Sequence, residues 1–422
     1  MISRRSLLAG GAAAAATVAL PPYYTTAAGP AATVKIGFID SFSGVFSDIA
    51  AIHKVAGELA LADMNKKGRV KFEFSFADDN SKPAVATTEA RRLVGQEQVD
   101  VLFGLTSSAN GLALAALMND LGTFMLELGP QDSSITGAKA GKLVYRFSPN
   151  NRMMLKTLST RVLALGKKWY FIQADYAFGK DAYAELSAIL QRAGGTEIGH
   201  DIVALGTSDF SSNLTKARNS GADVLMLTNS GLDAANAAKQ FVDFGLGKKM
   251  KLAGINLEDF YYKAVPLDAI AGTTFPVAWT PTCSDGARKL TARLKKDVHV
   301  PISWRHYFGY MGATALMQRI SSAGTTDAAK LAAAFENYSF DAAKPSKSTF
   351  NGWDHQLGQD VFAGSVVTQK QFEKTQFMFD VVGEVSAADA DGGPNSPWAL
   401  QAKAAIASQT ITPRKDYTPK TF

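Results

Sequence analysis

From Thr33 onward, short apolar runs alternate with helical repeats. TVKIGFID is an apolar run of strand length that stops at Ser41-Phe42-Ser43-Gly44, and Ile52, Val55, Ala56 and Leu59 then recur at helical spacing as far as Asn65 and Gly68. VKFEFSFADDN alternates with period two, PAVATTEARRLVGQ reads as a helix with Pro83 in its first turn, and VDVLFGL reads as a buried strand ending at Thr106-Ser107-Ser108. NGLALAALMNDLG is the next helix and TFMLELG the strand that closes the unit. This βαβαβαβ order predicts a parallel sheet covered by helices on both faces.

The same order restarts after Pro149-Asn150. MMLKTLSTRVLALG, KKWYFIQA, DAYAELSAILQRAGG, TEIGHDIVAL, a helix from Asp209, ADVLMLTNS, LDAANAAKQFVDFG, MKLAGI, a short helix from Leu257 and TTFPVAW follow in turn. The fold class is therefore α/β, with two doubly wound parallel-sheet lobes. After Pro281 come GARKLTARLKKDV, YFGYMGATALMQRI and AKLAAAFENY, helices that would complete the first lobe. VFAGSVVT and FMFDVVGEVS read as period-two strands at the edge of the second sheet. The segment 389–422, rich in Gly, Pro, Asn and Thr, reads as an irregular tail with ALQAKAAIA as its helical part.

At 422 residues the chain exceeds one comfortable core, and its 46% apolar and 19% charged composition is that of a globular protein. A formal charge of +6 without any basic stripe gives no footprint for nucleic acid. The N-terminus joins Arg4-Arg5, a modest Leu/Ala/Gly run to Leu20, Pro21-Pro22, and small residues at Thr26, Ala27 and Ala28. It resembles a twin-arginine export signal spanning 1–28 and predicts a periplasmic protein with the signal cleaved. The single cysteine, Cys283, lies far from that cleavage site, so neither a lipid anchor nor an intrachain disulfide is expected.

Open parallel sheets bind ligands at the carboxyl ends of their strands. The loops there are 41–48, 105–110, 127–134, 174–181, 228–233 and 255–260. Several place small hydroxyl residues just before a helix, where backbone N–H groups suit a carboxylate; Ser107, Ser108, Ser134 and Ser230 read equally well as caps of their own helices. Tyr176 and Phe178 place two rings at the mouth of a strand, where a lid, a partner or a ligand must cover them. GxSxG, GxxxxGK[ST], HExxH, CxxC and a GxGxxG opening the first helix are all missing, and the five histidines have no metal-ligand spacing. No cofactor and no metal are expected, although Asp354-His355 reads as a hydrogen-bonded pair near the cleft.

The stretches VKIGFIDSFSGVFSD, VDVLFGLTSSA, WYFIQADYAFGKD, TSDFSS, ADVLMLTNSG and WDHQLGQDVFAG, in this order and spacing, resemble the extracellular solute-binding proteins of branched-chain-amino-acid-type ABC importers. That resemblance to the Leu/Ile/Val-binding-protein-like, type I periplasmic binding fold implies two lobes joined by three hinge crossings, near 149–151, 279–282 and 345–351. Lobe 1 would comprise 29–150 and 281–347, and lobe 2 would comprise 151–280 and 348–388. The cleft residues it implies are Phe46 and Asp48, then Ser107 and Ser108 for a ligand carboxylate, and Leu128, Gly129 and Gln131. From the second lobe it implies Tyr176 and Phe178 as an aromatic wall, Asn229 and Ser230, and Glu258 for a ligand ammonium. Glu127 departs from the family pattern, since a carboxylate there would oppose an anionic ligand.

The function implied is a monomeric periplasmic receptor that binds a small solute, an aromatic acid or amino acid, and delivers it to an ABC permease and its ATPase subunits. A ligand-sensing subunit is the alternative from another class. An exported enzyme using Glu258, Asp259 or His355 as acid or base is a third.

Overall fold

The computed structural model describes residues 32–422, so the expected export segment 1–28 lies outside the described residues. The first sheet contains β1 (Thr33–Asp40), β2 (Lys71–Asp78), β3 (Val101–Gly104), β4 (Met125–Glu127) and β5 (Val144–Arg146), all parallel, in the order β2-β1-β3-β4-β5. β3 is buried at every position while the edge strand β2 alternates over much of its length, as expected of a sheet packed on both faces. The second sheet contains β6 (Lys168–Ala174), β7 (Thr196–Val203), β8 (Val224–Thr228) and β9 (Lys251–Gly254), also parallel, in the order β7-β6-β8-β9. In each sheet the order reverses beside the first strand, at β1/β3 and at β6/β8. Those two switch points are where loops diverge and leave room for a ligand.

TTFPVAW does not extend the second parallel sheet. It forms β10 (Thr274–Val277), and the chain next makes a small antiparallel set, β11 (Ser339–Phe340), β12 (Ser348–Phe350) and β13 (Leu357–Gly358). β14 (Val361–Val366) then pairs antiparallel with β10 on one side and β15 (Phe379–Val385) on the other. Pro276 has no amide hydrogen to give, which suits a strand paired along one side only.

The Trp304–Ala323 helix lies against the Ser47–Lys67 helix of the first lobe. A Cβ on Gly309 would fall 2.6 Å from His53 O, so glycine permits this approach and sets Arg305 beside His53. The buried stripe of the Ser47–Lys67 helix is Ile49, Ala50, His53, Ala56, Gly57 and Ala60, whereas Val55 points outward. That shifts the face read from the sequence and brings His53 inside.

The chain passes between the lobes at 147–150, at 278–284, and again after Gly358. The last passage lies beyond the expected 345–351, because the β12–β13 hairpin stays with the first lobe. There Phe350 packs on Phe335 and Tyr145, and Gln356 Oε1 accepts from Arg146 Nε at 2.8 Å. The two lobes together make one body, 32–422.

The tail is ordered, contrary to the irregular segment that its composition suggested. Short helices Ala387–Asp391 and Pro397–Ala407 run from β15 across the hinge side, where Trp398 lies 4.7 Å from the Arg152 guanidinium. Residues 409–422 then bind the first lobe. Gln409 Nε2 donates to Ala140 O (2.8 Å), Arg414 Nη1 to Val99 O (2.6 Å), Tyr417 Oη to Asp100 Oδ1 (2.8 Å) and Lys420 Nζ to Asp100 Oδ2 (2.6 Å). Long polar side chains thus do the docking, which a reading of apolar periodicity passes over.

Candidate functional site

The β3 end turns sharply. Gly104 has φ +118 and Leu105 φ +72, and a Cβ on Gly104 would meet Ile39 O at 2.2 Å, so only glycine fits there. The turn presents Ser107, whose side chain makes no capping bond to its own helix and whose buried Oγ has no partner among the described residues. The capping alternative is thereby removed for Ser107. Ser108 instead serves the scaffold: its Oγ accepts the backbone N–H of Gln131 (3.1 Å) and Asp132 (3.2 Å). Ser134 likewise bonds locally, to Asp132.

The lobes meet through side chains of the predicted loops. The ring of Phe46 stands 5.9 Å from that of Tyr176, and Asp48 Oδ2 accepts from Tyr261 Oη at 3.3 Å. Ser230, also free of capping duty, accepts from Asn256 Nδ2 at 3.0 Å, and Asn229 is buried with both amide atoms unpartnered. Leu128 is core, packed against Gly312, and Gln131 reaches Pro149 O in the hinge at 3.4 Å.

Phe178 does not face the cleft. The helix begins at Ala177, so Phe178, Ala182, Leu186 and Leu190 form one buried stripe at i, i+4 spacing, packed in the second-lobe core with Trp169 and Phe171. Tyr176, one residue before the helix, is half-buried and is the ring left at the lobe contact.

Glu258 is not free for a ligand ammonium. It is fully buried, and its carboxylate accepts from Arg305 Nη2 (2.5 Å), Arg305 Nε (3.0 Å), Trp304 Nε1 (2.5 Å) and Asn256 Nδ2 (3.3 Å). Burial works against the Arg305 charge, yet the Glu258 carboxylate outweighs it and holds the guanidinium pKa above its usual value. Arg305 Nη1 has no partner among the described residues. A Cβ built on Gly129 would stand 3.1 Å from that nitrogen and 3.3 Å from His53 Cε1, so Gly129 keeps the space beside both groups clear.

His53 Nδ1 lies 2.9 Å from Asp40 Oδ2 and 3.5 Å from Thr106 Oγ1, next to Ser107. Burial lowers the His53 pKa in spite of Asp40, so the ring is neutral with its proton toward the carboxylate, and Nε2 is an unpartnered acceptor. Burial pushes Glu127 up to about 8. Its charged form is disfavoured, which weakens the repulsion expected of a charge at that position.

Neither Arg305, His53 nor Asn256 was among the residues expected in the site. Of the other acid–base candidates, Asp259 accepts the Trp304 N–H through Oδ2 (3.2 Å) and leaves Oδ1 unpartnered among the described residues, and His355 Nδ1 faces Gly141 O (3.0 Å) and Val144 O (3.1 Å) while its ring stacks on Tyr145 at 4.1 Å. Asp354 bonds the Gln356 N–H and not His355. A groove of about 320 Å³ on the second lobe, walled by Leu158, Phe241 and Met250, contains none of the site groups.

A family model described as periplasmic binding protein matches residues 33–371. Leu/Ile/Val-binding protein homolog 3 of Brucella melitensis is 25% identical over 301 residues, 70% of this chain and 81% of that protein. A periplasmic binding protein of Burkholderia mallei superposes with a TM-score of 0.80 at 26% identity, over 85% of this chain and 96% of the other. An R. palustris ABC-transporter solute-binding protein, solved with 4-hydroxybenzoate, shares the fold with a TM-score of 0.76 at 22% identity, over 84% and 97% of the two chains. Among the described residues no helix is long and apolar enough to cross a membrane.

Proposed function

The chain belongs to the periplasmic binding protein family, and from that premise we propose that it is the monomeric solute receptor of an ABC importer, closing two lobes on a small carboxylate and delivering it to a permease and its ATPase subunits. The observation that carries this reading is a set of buried, unpartnered polar atoms contributed from both sides of the lobe contact. Ser107 Oγ, His53 Nε2 and Arg305 Nη1 come from the first lobe, and the Asn229 amide and Asn256 Oδ1 come from the second. Each such group left without a partner costs about 1–3 kcal/mol. A ligand that satisfies several of them favours the state in which the lobes meet, and about 5.5 kcal/mol of differential binding moves closure from 1:99 to 99:1.

Within this reading Ser107 and Arg305 receive the carboxylate, Phe46 and Tyr176 cover the ligand body, and Asn229 and Ser230 hold its far end. The solute named for the R. palustris protein and those named for the B. melitensis relative share a carboxylate. Residues 1–28 act as a twin-arginine signal that delivers the mature chain to the periplasm. Arg4→Lys with Arg5→Lys should abolish export, and an unchanged periplasmic yield would remove that part. A thermal-shift screen of amino acids, aromatic acids and amides tests the receptor itself: at 100 times its dissociation constant a true ligand adds about 2.7 kcal/mol of stability.

A further inference from the structure

We propose that Arg305, held in place by Glu258, is the specificity-determining residue of the cleft, and that the pair selects carboxylates lacking an ammonium group over α-amino acids. This deepens the receptor reading and rests on it.

The Glu258 carboxylate offers about four acceptor positions, and Arg305, Trp304 and Asn256 already occupy them. An ammonium entering here has to take Glu258 from a buried guanidinium, leaving Arg305 as an uncompensated interior charge. Breaking such a pair is strongly unfavourable. The neighbouring acids do not substitute. Asp259 lines a separate small cavity on the hinge side with Thr280, Pro301 and Phe377, and accepts the Trp304 N–H at 3.2 Å. Asp48 accepts from Tyr261, Asp40 is bonded to His53 and the Ser41 N–H, and Asp233 accepts the Gly206 N–H at 2.8 Å.

The donor side is the reverse. Arg305 spends Nε and Nη2 on Glu258, and Nη1 keeps its two N–H groups without a partner among the described residues, beside Gly129, where a side chain would stand only 3.1 Å away. Ser107 Oγ completes a second donor from the β3 turn. A carboxylate therefore finds charge-assisted donors on arrival, whereas the ammonium of an amino acid finds Glu258 taken, and Glu127, whose two carboxyl oxygens are unpartnered among the described residues, has its charged form disfavoured by burial. Glu258 acts as the positioning residue: it orients the fork so that one nitrogen is left over.

Matched compounds test this in the wild-type protein by calorimetry: 4-methylpentanoate against L-leucine, 3-phenylpropanoate against L-phenylalanine, and each acid against its neutral amide. The acids should bind on the order of a hundredfold more tightly than the amino acids and the amides. Tighter binding of either amino acid than of its matched acid, or equal binding of acid and amide, overturns the proposal while leaving the receptor reading intact. Failure of every carboxylate and amide, in these pairs and in the wider thermal-shift screen, overturns both.

Gly129→Ala, which places a methyl beside Nη1, should weaken the acids at least tenfold, with a melting curve recorded alongside to report the fold. If the folded variant binds the acids as wild type does, Arg305 Nη1 is not where the carboxylate docks.

Discussion

Truncating Phe178 separates a core ring from a cleft ring. The side chain is 3% exposed and is enclosed by the second-lobe cluster that includes Leu155, Trp169, Phe171, Leu186 and Leu190. Phe→Ala at such a site costs roughly 3 to 5 kcal/mol, the lost transfer energy plus the cavity left behind. Unfolding entropy runs near 2.1 cal/mol/K per residue, so if roughly 390 residues melt together, about 4 kcal/mol lowers Tm by about 5 °C. If the second lobe, roughly 160 residues with the chain after Gly358 included, melts by itself, the fall is about 12 °C. Differential scanning calorimetry of Phe178→Ala reads both quantities, because the second case also splits the transition. Calorimetric titration at a temperature below the melt, with the tightest carboxylate, should give an affinity within about threefold of wild type. A variant that melts within about 1 °C of wild type but loses most of its affinity would refute the core assignment.

Tyr261→Phe removes the interlobe hydrogen bond to Asp48. The closed state then loses about 1 kcal/mol, so ligand affinity should fall about fivefold with little change in Tm, and calorimetric titration giving wild-type affinity would refute the contact's role in closure. Gly137→Ala puts a Cβ 1.9 Å from the Trp398 ring, and the indole must leave its seat on Arg152. About 1–3 kcal/mol of stability should go, with faster protease cleavage between 387 and 408 as the readout. His355 is pushed down to about 4 by burial. The unfolded chain takes up that proton near pH 6.5 and the folded protein does not, so this group's stabilisation is present above 6.5 and is lost as pH falls toward 4, up to about 3 kcal/mol. Denaturant titrations of wild type and His355→Asn at pH 7 and 4.5 should differ by that slope; asparagine tolerates the positive φ of 62 at this position.

The parallel sheets were legible because β1, β3, β6 and β8 are apolar runs of strand length between helical repeats. β5 was not, since three residues that include the buried Arg146 carry little strand signal; its guanidinium is satisfied by Gln356, Asp132 and Thr136, partners that only the fold brings near. Phe178 was misplaced by a boundary. With no side-chain cap at Tyr176, nothing marked the helix start four residues ahead of Asp181, although Phe178, Ala182, Leu186 and Leu190 already had helical spacing. Glu258 was found by position but not by role, because the pairing that occupies it lies 47 residues away at Arg305. A charge in a polar-looking stretch reads as surface until its partner is known. Ser303 and His306, which cap the helix that carries Arg305, were the local sign that Trp304 and Arg305 sit at an ordered turn.

The docked tail makes the chain a receptor for part of itself. Residues 409–422 occupy the first lobe through Gln409, Arg414, Tyr417 and Lys420, while β15, only a few dozen residues earlier, is fixed in the sheet of the second. A short tether of this kind holds its ligand at an effective concentration of about millimolar, so a free peptide of the same sequence competes only above that range. The tail is thus a further link between the two lobes, one that lies outside the cleft, and cutting the chain between β15 and Gln409 would remove it without touching a residue of the site.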